Sequence, residues 1–108
     1  MPSTSPKPGQ LWKVDLGYEG KLRWFIIVSR SDPEAPRALA LGVPVTTQYR
    51  DSDYEVPLGK LPCLRETSYA NVQGLQTLRW IDLLEFGGVV PAPLLEQIRQ
   101  ALRLTLEL

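Results

Sequence analysis

The sequence predicts a mostly β fold: a small, strongly bent barrel of about five short strands, covered by one C-terminal helix. Three observations lead there. Alternating or β-branched apolar runs recur along the chain, separated by Gly, Pro and Asp. Gly42 and Pro44 fall inside one of these runs, where they bend or bulge a strand rather than continue a flat ladder. The final stretch, PLLEQIRQALRLTLEL, repeats apolar residues at helical spacing.

Taken in order, residues 1–9 are rich in Pro and Ser and read as a flexible lead-in, leaving 10–108 as a single domain. QLWKVDL alternates, with Trp12, Val14 and Leu16 on one face and Lys13 and Asp15 on the other, which makes a half-buried strand. GYEGK is a Gly-bounded hairpin loop. LRWFIIVS is aromatic and β-branched, hence a strand in the middle of the sheet. RSDPEAPR is a polar loop broken by proline. RALALGVPVTT is the bent third strand, and YEVPL a short fourth whose Pro57 marks an exposed edge. LGKLPCL connects to ETSYANVQGLQTLRWI, one strand or two, broken near Gly74. In the last segment Leu95, Ile98, Leu102 and Thr105 or Leu106 share a helical face, and Pro93 suits a first helical turn.

Composition narrows the chemistry. The chain has 108 residues, enough for one core, and its 12 basic residues balance 12 acidic ones. That balance weakens a polyanion-binding reading without removing it, because steering depends on where charges lie. There is no histidine, which excludes a histidine base, a Ser-His-Asp triad and most zinc sites. Cys63 is alone, so no internal disulfide forms, in keeping with a reducing cytoplasm. No apolar run approaches the ~20 residues that span a bilayer, and the N-terminus lacks the apolar core of a secretory signal. Any catalysis must therefore use carboxylates, hydroxyls, Arg, Lys or Tyr.

The most informative stretch is VPVTTQYRDSDYEVPL, Val43 to Leu58, where an apolar strand ends in two hydroxyls and an amide. Thr46 and Thr47 read either as strand-end residues or as hydroxyl donors at the rim of a site. Asp51, Ser52 and Asp53 read as a turn, since such side chains bond their own backbone. Trp12, Trp24 and Trp80 could stack on bases, although the alternation around Trp12 places it in the core.

In order, PGQLWKVDL, LRWFIIVS, VPVTTQYRDSDYEVPL and VVPAPLLEQIRQALRLTL resemble four consecutive motifs of the MazF/PemK family of toxin endoribonucleases. The third is similar to the family's V-P-[IVC]-T-[ST] stretch. The resemblance implies an SH3-like barrel of the MazF/CcdB type, a homodimer, and a cognate antitoxin whose extended acidic tail fills the RNA groove. It implies cleavage of single-stranded RNA without metal or cofactor, by attack of a ribose 2′-hydroxyl on the adjacent phosphate. Carried onto this chain, it implies Arg23, Thr46 and Glu19 as catalytic residues, and Lys21, Thr47, Gln48 and Gln73 as RNA contacts. The chain departs from the family in the loop between Asp15 and Arg23, which is several residues shorter, and in Trp24, which replaces a proline. Other readings of the same barrel are a catalytically silent binding module and a CcdB-type gyrase poison. The ending LTLEL lacks the Trp-Gly-Ile type of C-terminus that the latter requires.

Overall fold

Strand β1 (Gln10–Asp15) turns back into β2 (Leu22–Ile27) through the tight loop foreseen at GYEGK. The Leu16 N–H bonds the Lys21 carbonyl at 3.0 Å and the Lys21 N–H bonds that of Tyr18 at 2.9 Å. Gly17 and Gly20 make this turn with φ of 81° and 60°, a region L side chains avoid. The structure, a computed structural model, describes residues 5–18 and 20–108, so Glu19 lies outside the described residues.

Next come β3 (Leu39–Thr46), β4 (Glu55–Gly59), β5 (Ser68–Asn71), β6 (Gln76–Arg79), β7 (Leu83–Val89) and helix α1 (Ala92–Leu106). The strands run in the order β4-β5-β3-β2-β1-β7, with β6 also on β3 and every pairing antiparallel. Seven strands exceed the expected number, the addition being β7 in DLLEFGGVV, a segment to which the sequence assigns no element. Its two glycines argue against a strand, yet Gly87 leaves the room that the Trp24 ring of β2 fills. A Cβ on Gly87 would stand 2.5 Å from Cζ3 of Trp24.

The expected bend is in β3. One edge pairs with β2 from Gly42 to Pro44. The other edge pairs with β6 through Leu39 to Gly42, then with β5 at Val45 and Thr46. The change of partner occurs across Pro44, which has no N–H to continue a ladder. A 3-10 turn, Val72–Gly74, separates β5 from β6 beside Pro44, at the break expected near Gly74. Among the described residues no ladder joins β4 to β7, so the barrel is strongly bent but not hydrogen-bonded shut.

This sheet has a core on each face. Leu11, Ile26, Val43, Val56 and Ala70 face α1, which contributes Ile98 and Ala101. Val14, Phe25, Ile27, Ala40, Leu78 and Leu83 form the second core, with Trp12, Leu16 and Trp80 against it. β2 reads as continuously apolar because its alternate residues enter both cores, as central strands do. Trp12 packs as expected and also donates its indole N–H to Gln10 Oε1 at 3.1 Å. On α1 the stripe passes through Thr105, whose hydroxyl donates to the Ala101 carbonyl at 2.8 Å, while Leu106 is 49% exposed. Pro57 sits exposed on the outermost strand β4, as read.

The second half of the lead-in is docked. Ser5, Pro6 and Gly9 are buried, the Ser5 hydroxyl accepts the Asp32 N–H at 2.9 Å, and the Gly9 N–H bonds Ile27 O at 2.7 Å. No helix among the described residues is long and apolar enough to cross a membrane.

Candidate active site

The site grows from the point where β2 and β3 part. Their last rung joins Phe25 to Pro44. Two residues further along each strand come Arg23 and Thr46, and since side chains alternate across a strand, both leave on the face of Phe25 and Pro44. They line one hollow of about 450 Å³, together with Thr47, Gln48, Asn71 and Gln76. Its floor is apolar, formed by Leu16, Phe25 and Pro44. Arg23 is exposed, and among the described residues it has neither an ion-pair nor a hydrogen-bond partner, unlike Arg79, which is clamped to Asp82 at 2.9 Å.

Thr46 is fixed by its own backbone. Its Oγ1 accepts the Gln48 N–H at 3.1 Å, which leaves the hydroxyl proton free to donate into the hollow. The loop that follows is held by one carboxylate. Glu55 accepts from the Arg50 N–H at 3.1 Å, the Ser52 N–H at 3.2 Å and the Ser52 hydroxyl at 2.9 Å. Burial by itself raises the Glu55 pKa, but these bonds and the nearby Arg50 charge outweigh it and hold the carboxyl below its ordinary range. Asp51, Ser52 and Asp53 belong to this turn, as their residue types suggest, and Asp51 takes a left-handed φ of 53°.

A second hollow, of about 430 Å³, lies across Val45, Thr46 and Thr47, which line both. It adds Lys13, Trp24, Arg65, Glu66 and Glu85. Lys13 Nζ stands 5.3 Å from the Trp24 ring centroid and 3.5 Å from Glu85 Oε1. Cys63 also lines this hollow, but burial first, and Glu85 after it, push its thiol pKa up, so it is not an activated nucleophile.

Of the residues read from the sequence, Arg23, Thr46, Thr47 and Gln48 come together in the first hollow. Lys21, at the base of the hairpin, and Gln73, on the 3-10 turn, do not line it. Asn71 and Gln76, three residues from Gln73 at most, line it in its place. Asn71 Oδ1 also accepts the Gln73 N–H, at 3.1 Å.

A family model described as PemK-like, MazF-like toxin of type II toxin-antitoxin system matches residues 7–106. The chain belongs to this family. Among solved structures, an endoribonuclease from a mycobacterial species, in complex with its cognate antitoxin, is 30% identical with a TM-score of 0.83, over 96% of this chain and 97% of that one. Another mycobacterial endoribonuclease is 28% identical with a TM-score of 0.79, over 96% and 93%. MazF of Deinococcus radiodurans, at 22% identity and a TM-score of 0.77 over 96% and 98%, supports the fold. No curated protein sequence matches significantly.

Sequence reasoning missed Asn71 and Gln76 in the first hollow, and Lys13, Arg65, Glu66 and Glu85 in the second. Lys13 had no signal in the sequence, because only the β1–β2 register sets it opposite Trp24. Arg65 and Glu66 had none, since they sit in a connector whose path depends on packing.

Proposed function

We propose that the chain is the toxin of a type II toxin–antitoxin pair and acts as a metal-independent endoribonuclease on single-stranded RNA in the cytoplasm. The observation that carries this reading is the convergence of Arg23 and Thr46 on one face of the sheet, in one groove. Two mycobacterial structures similar to the whole chain are endoribonucleases by name.

The chemistry suits the residues. The ribose 2′-oxygen attacks the adjacent phosphorus, the bond from phosphorus to the 5′-oxygen breaks, and a cyclic phosphate and a 5′-hydroxyl result. The attacking hydroxyl must lose a proton and the leaving oxygen must gain one. Between those events the phosphorane carries extra negative charge on its equatorial oxygens. The planar Arg23 guanidinium and the free hydroxyl proton of Thr46 are donors of the right geometry for those oxygens. Glu19 is the candidate base through the family resemblance, on the hairpin that leads into the strand of Arg23. Thr47 and Gln48 line the path of the RNA, and Lys21 can reach its backbone from the hairpin base. The protein acts as a homodimer, and an antitoxin with an extended acidic tail blocks the same groove.

The test is direct. Purified protein incubated with long RNA of varied sequence, with EDTA present, should give fragments bearing 5′-hydroxyl ends. Arg23→Ala should lower the rate about 10²–10³-fold or more, the usual cost of one transition-state donor. Intact RNA from a folded wild-type protein, or fragments that Arg23→Ala leaves unchanged, would overturn the assignment.

A further inference from the structure

Beside the groove lies a pair of aromatic rings that neither core uses. Thr46 pairs with Tyr69 across the β3–β5 ladder. Directly paired residues of antiparallel strands project to the same face, so Arg23, Thr46 and Tyr69 form a row across three strands. Neighbouring strands are ~4.8 Å apart, which starts Tyr69 about one strand spacing beyond Thr46, on the side away from Arg23.

Tyr49 lies flat against Tyr69, with ring centroids 4.4 Å apart and planes 9° from parallel. Its hydroxyl donates to Asp51 Oδ1 at 3.0 Å. The loop between is fastened to Glu55 through Arg50 and Ser52. Tyr49 is nevertheless 46% exposed, and neither ring belongs to the two apolar clusters. A ring so firmly oriented and so open binds a flat partner with little ordering cost.

We propose that the Tyr49–Tyr69 stack is a platform for a nucleobase of the bound RNA, one neighbouring the phosphate held by Arg23 and Thr46. The base stacks on the outer face of Tyr49. Every base has a π-face, so the platform contributes affinity and alignment with little choice of sequence. Tyr49 is a positioning residue: it touches the substrate without taking part in proton transfer. The inference rests on the RNA-cleaving reading above, and its test separates the two.

The bonds cut by the wild type are mapped in a long RNA. A short RNA carrying a mapped site, or a mixed-sequence RNA if none is cut, is made with 2′-deoxyriboses so that it binds intact. 2-Aminopurine is placed in turn on each side of the target phosphate. On binding, one of the two positions should be quenched by stacking. Tyr49→Leu should abolish that quenching and raise KM by about 5- to 150-fold, the range for one base–aromatic stack, with kcat changed little. Tyr49→Phe, which keeps the ring, should restore both. Quenching at neither position, or quenching that persists in Tyr49→Leu, overturns the platform. So does a loss that falls on kcat alone, which marks a ring that merely supports the loop. If wild-type protein leaves RNA uncut yet quenches the probe through Tyr49, the nuclease reading fails and the platform stands. If it binds no single-stranded RNA, both fail.

Discussion

Thr46 shows what a single side chain contributes. Its type and place at the end of an apolar run mark it in the sequence, but only the fold shows that its oxygen accepts the Gln48 N–H, at 3.1 Å, while lining the groove. With one lone pair engaged, the hydroxyl still holds a proton that it can donate to a ligand in the groove. Thr46→Val, which keeps the shape and removes the donor, should lower kcat about 10²–10³-fold in single-turnover cleavage. Thr46→Ser should retain most of the rate. A Thr46→Val enzyme that keeps its rate while Thr46→Ser loses it would show that the methyl group, and hence packing, is what matters there. Arg23, near the start of its strand, stood out only through the family resemblance, since an Arg there is ordinarily a solvated side chain. Lys13 and Arg65 did not stand out, because a surface cation and a loop cation look alike until the chain brings them to one hollow.

The β3–β4 loop behaves as a small element with its own fastening. Glu55 closes it, and the lowered pKa of this carboxyl has a pH consequence. Since the folded value lies below the ordinary 4.5, the stabilisation is fully present above that pH. It is lost as pH falls through the lowered value, when the protonated group gives up its acceptor role. Amide exchange at Arg50 and Ser52 should therefore quicken in acid below the ordinary carboxylate range, and Glu55→Gln should quicken it at neutral pH. Exchange independent of pH beyond its intrinsic chemistry would remove the clasp.

The corner at Pro44 gives a second measurable contrast. A Cβ on Gly74 would lie 2.5 Å from Cγ and 2.9 Å from Cδ of Pro44, a ring that cannot swing aside. A Cβ on Gly42 would lie 2.7 Å from Cδ1 of Leu78, the mobile end of a side chain. Gly74→Ala should cost about 1–3 kcal/mol in denaturant unfolding, as overpacking does, and Gly42→Ala less. The break near Gly74 was readable, but its close approach to Pro44 was not, since these residues are thirty positions apart and only the β3–β5–β6 arrangement joins them.

Stability of the fold as a unit rests on two thin cores sharing one sheet. Ile98 is 0% exposed and ties α1 to the first of them. Ile98→Ala should cost about 2–5 kcal/mol, a large part of the ~5–15 kcal/mol typical of a domain. Tm should fall by about 10 °C or more. Leu104→Ala, at a residue of the same helix that is 56% exposed, should change stability by no more than about 0.5 kcal/mol. Similar losses for the two would show that the outer face of α1 is also buried, against another chain.

Local pattern was enough for most of the elements. Period-two alternation in QLWKVDL, β-branched crowding in LRWFIIVS and the helical stripe through Ile98 each state a preference that packing then satisfies. It also marked Thr46 as a hydroxyl ending an apolar strand, whereas Arg23 stood out only through the family resemblance. It could not show β7, because glycines that look like breakers in isolation are required where Trp24 presses on Gly87. Nor could it show the row of Arg23, Thr46 and Tyr69 or the second hollow. Those depend on strand register and on which strands become neighbours, and both are set by contacts between residues far apart in the chain. The individual donors belong to the sequence; their convergence into one groove is a property of the folded sheet.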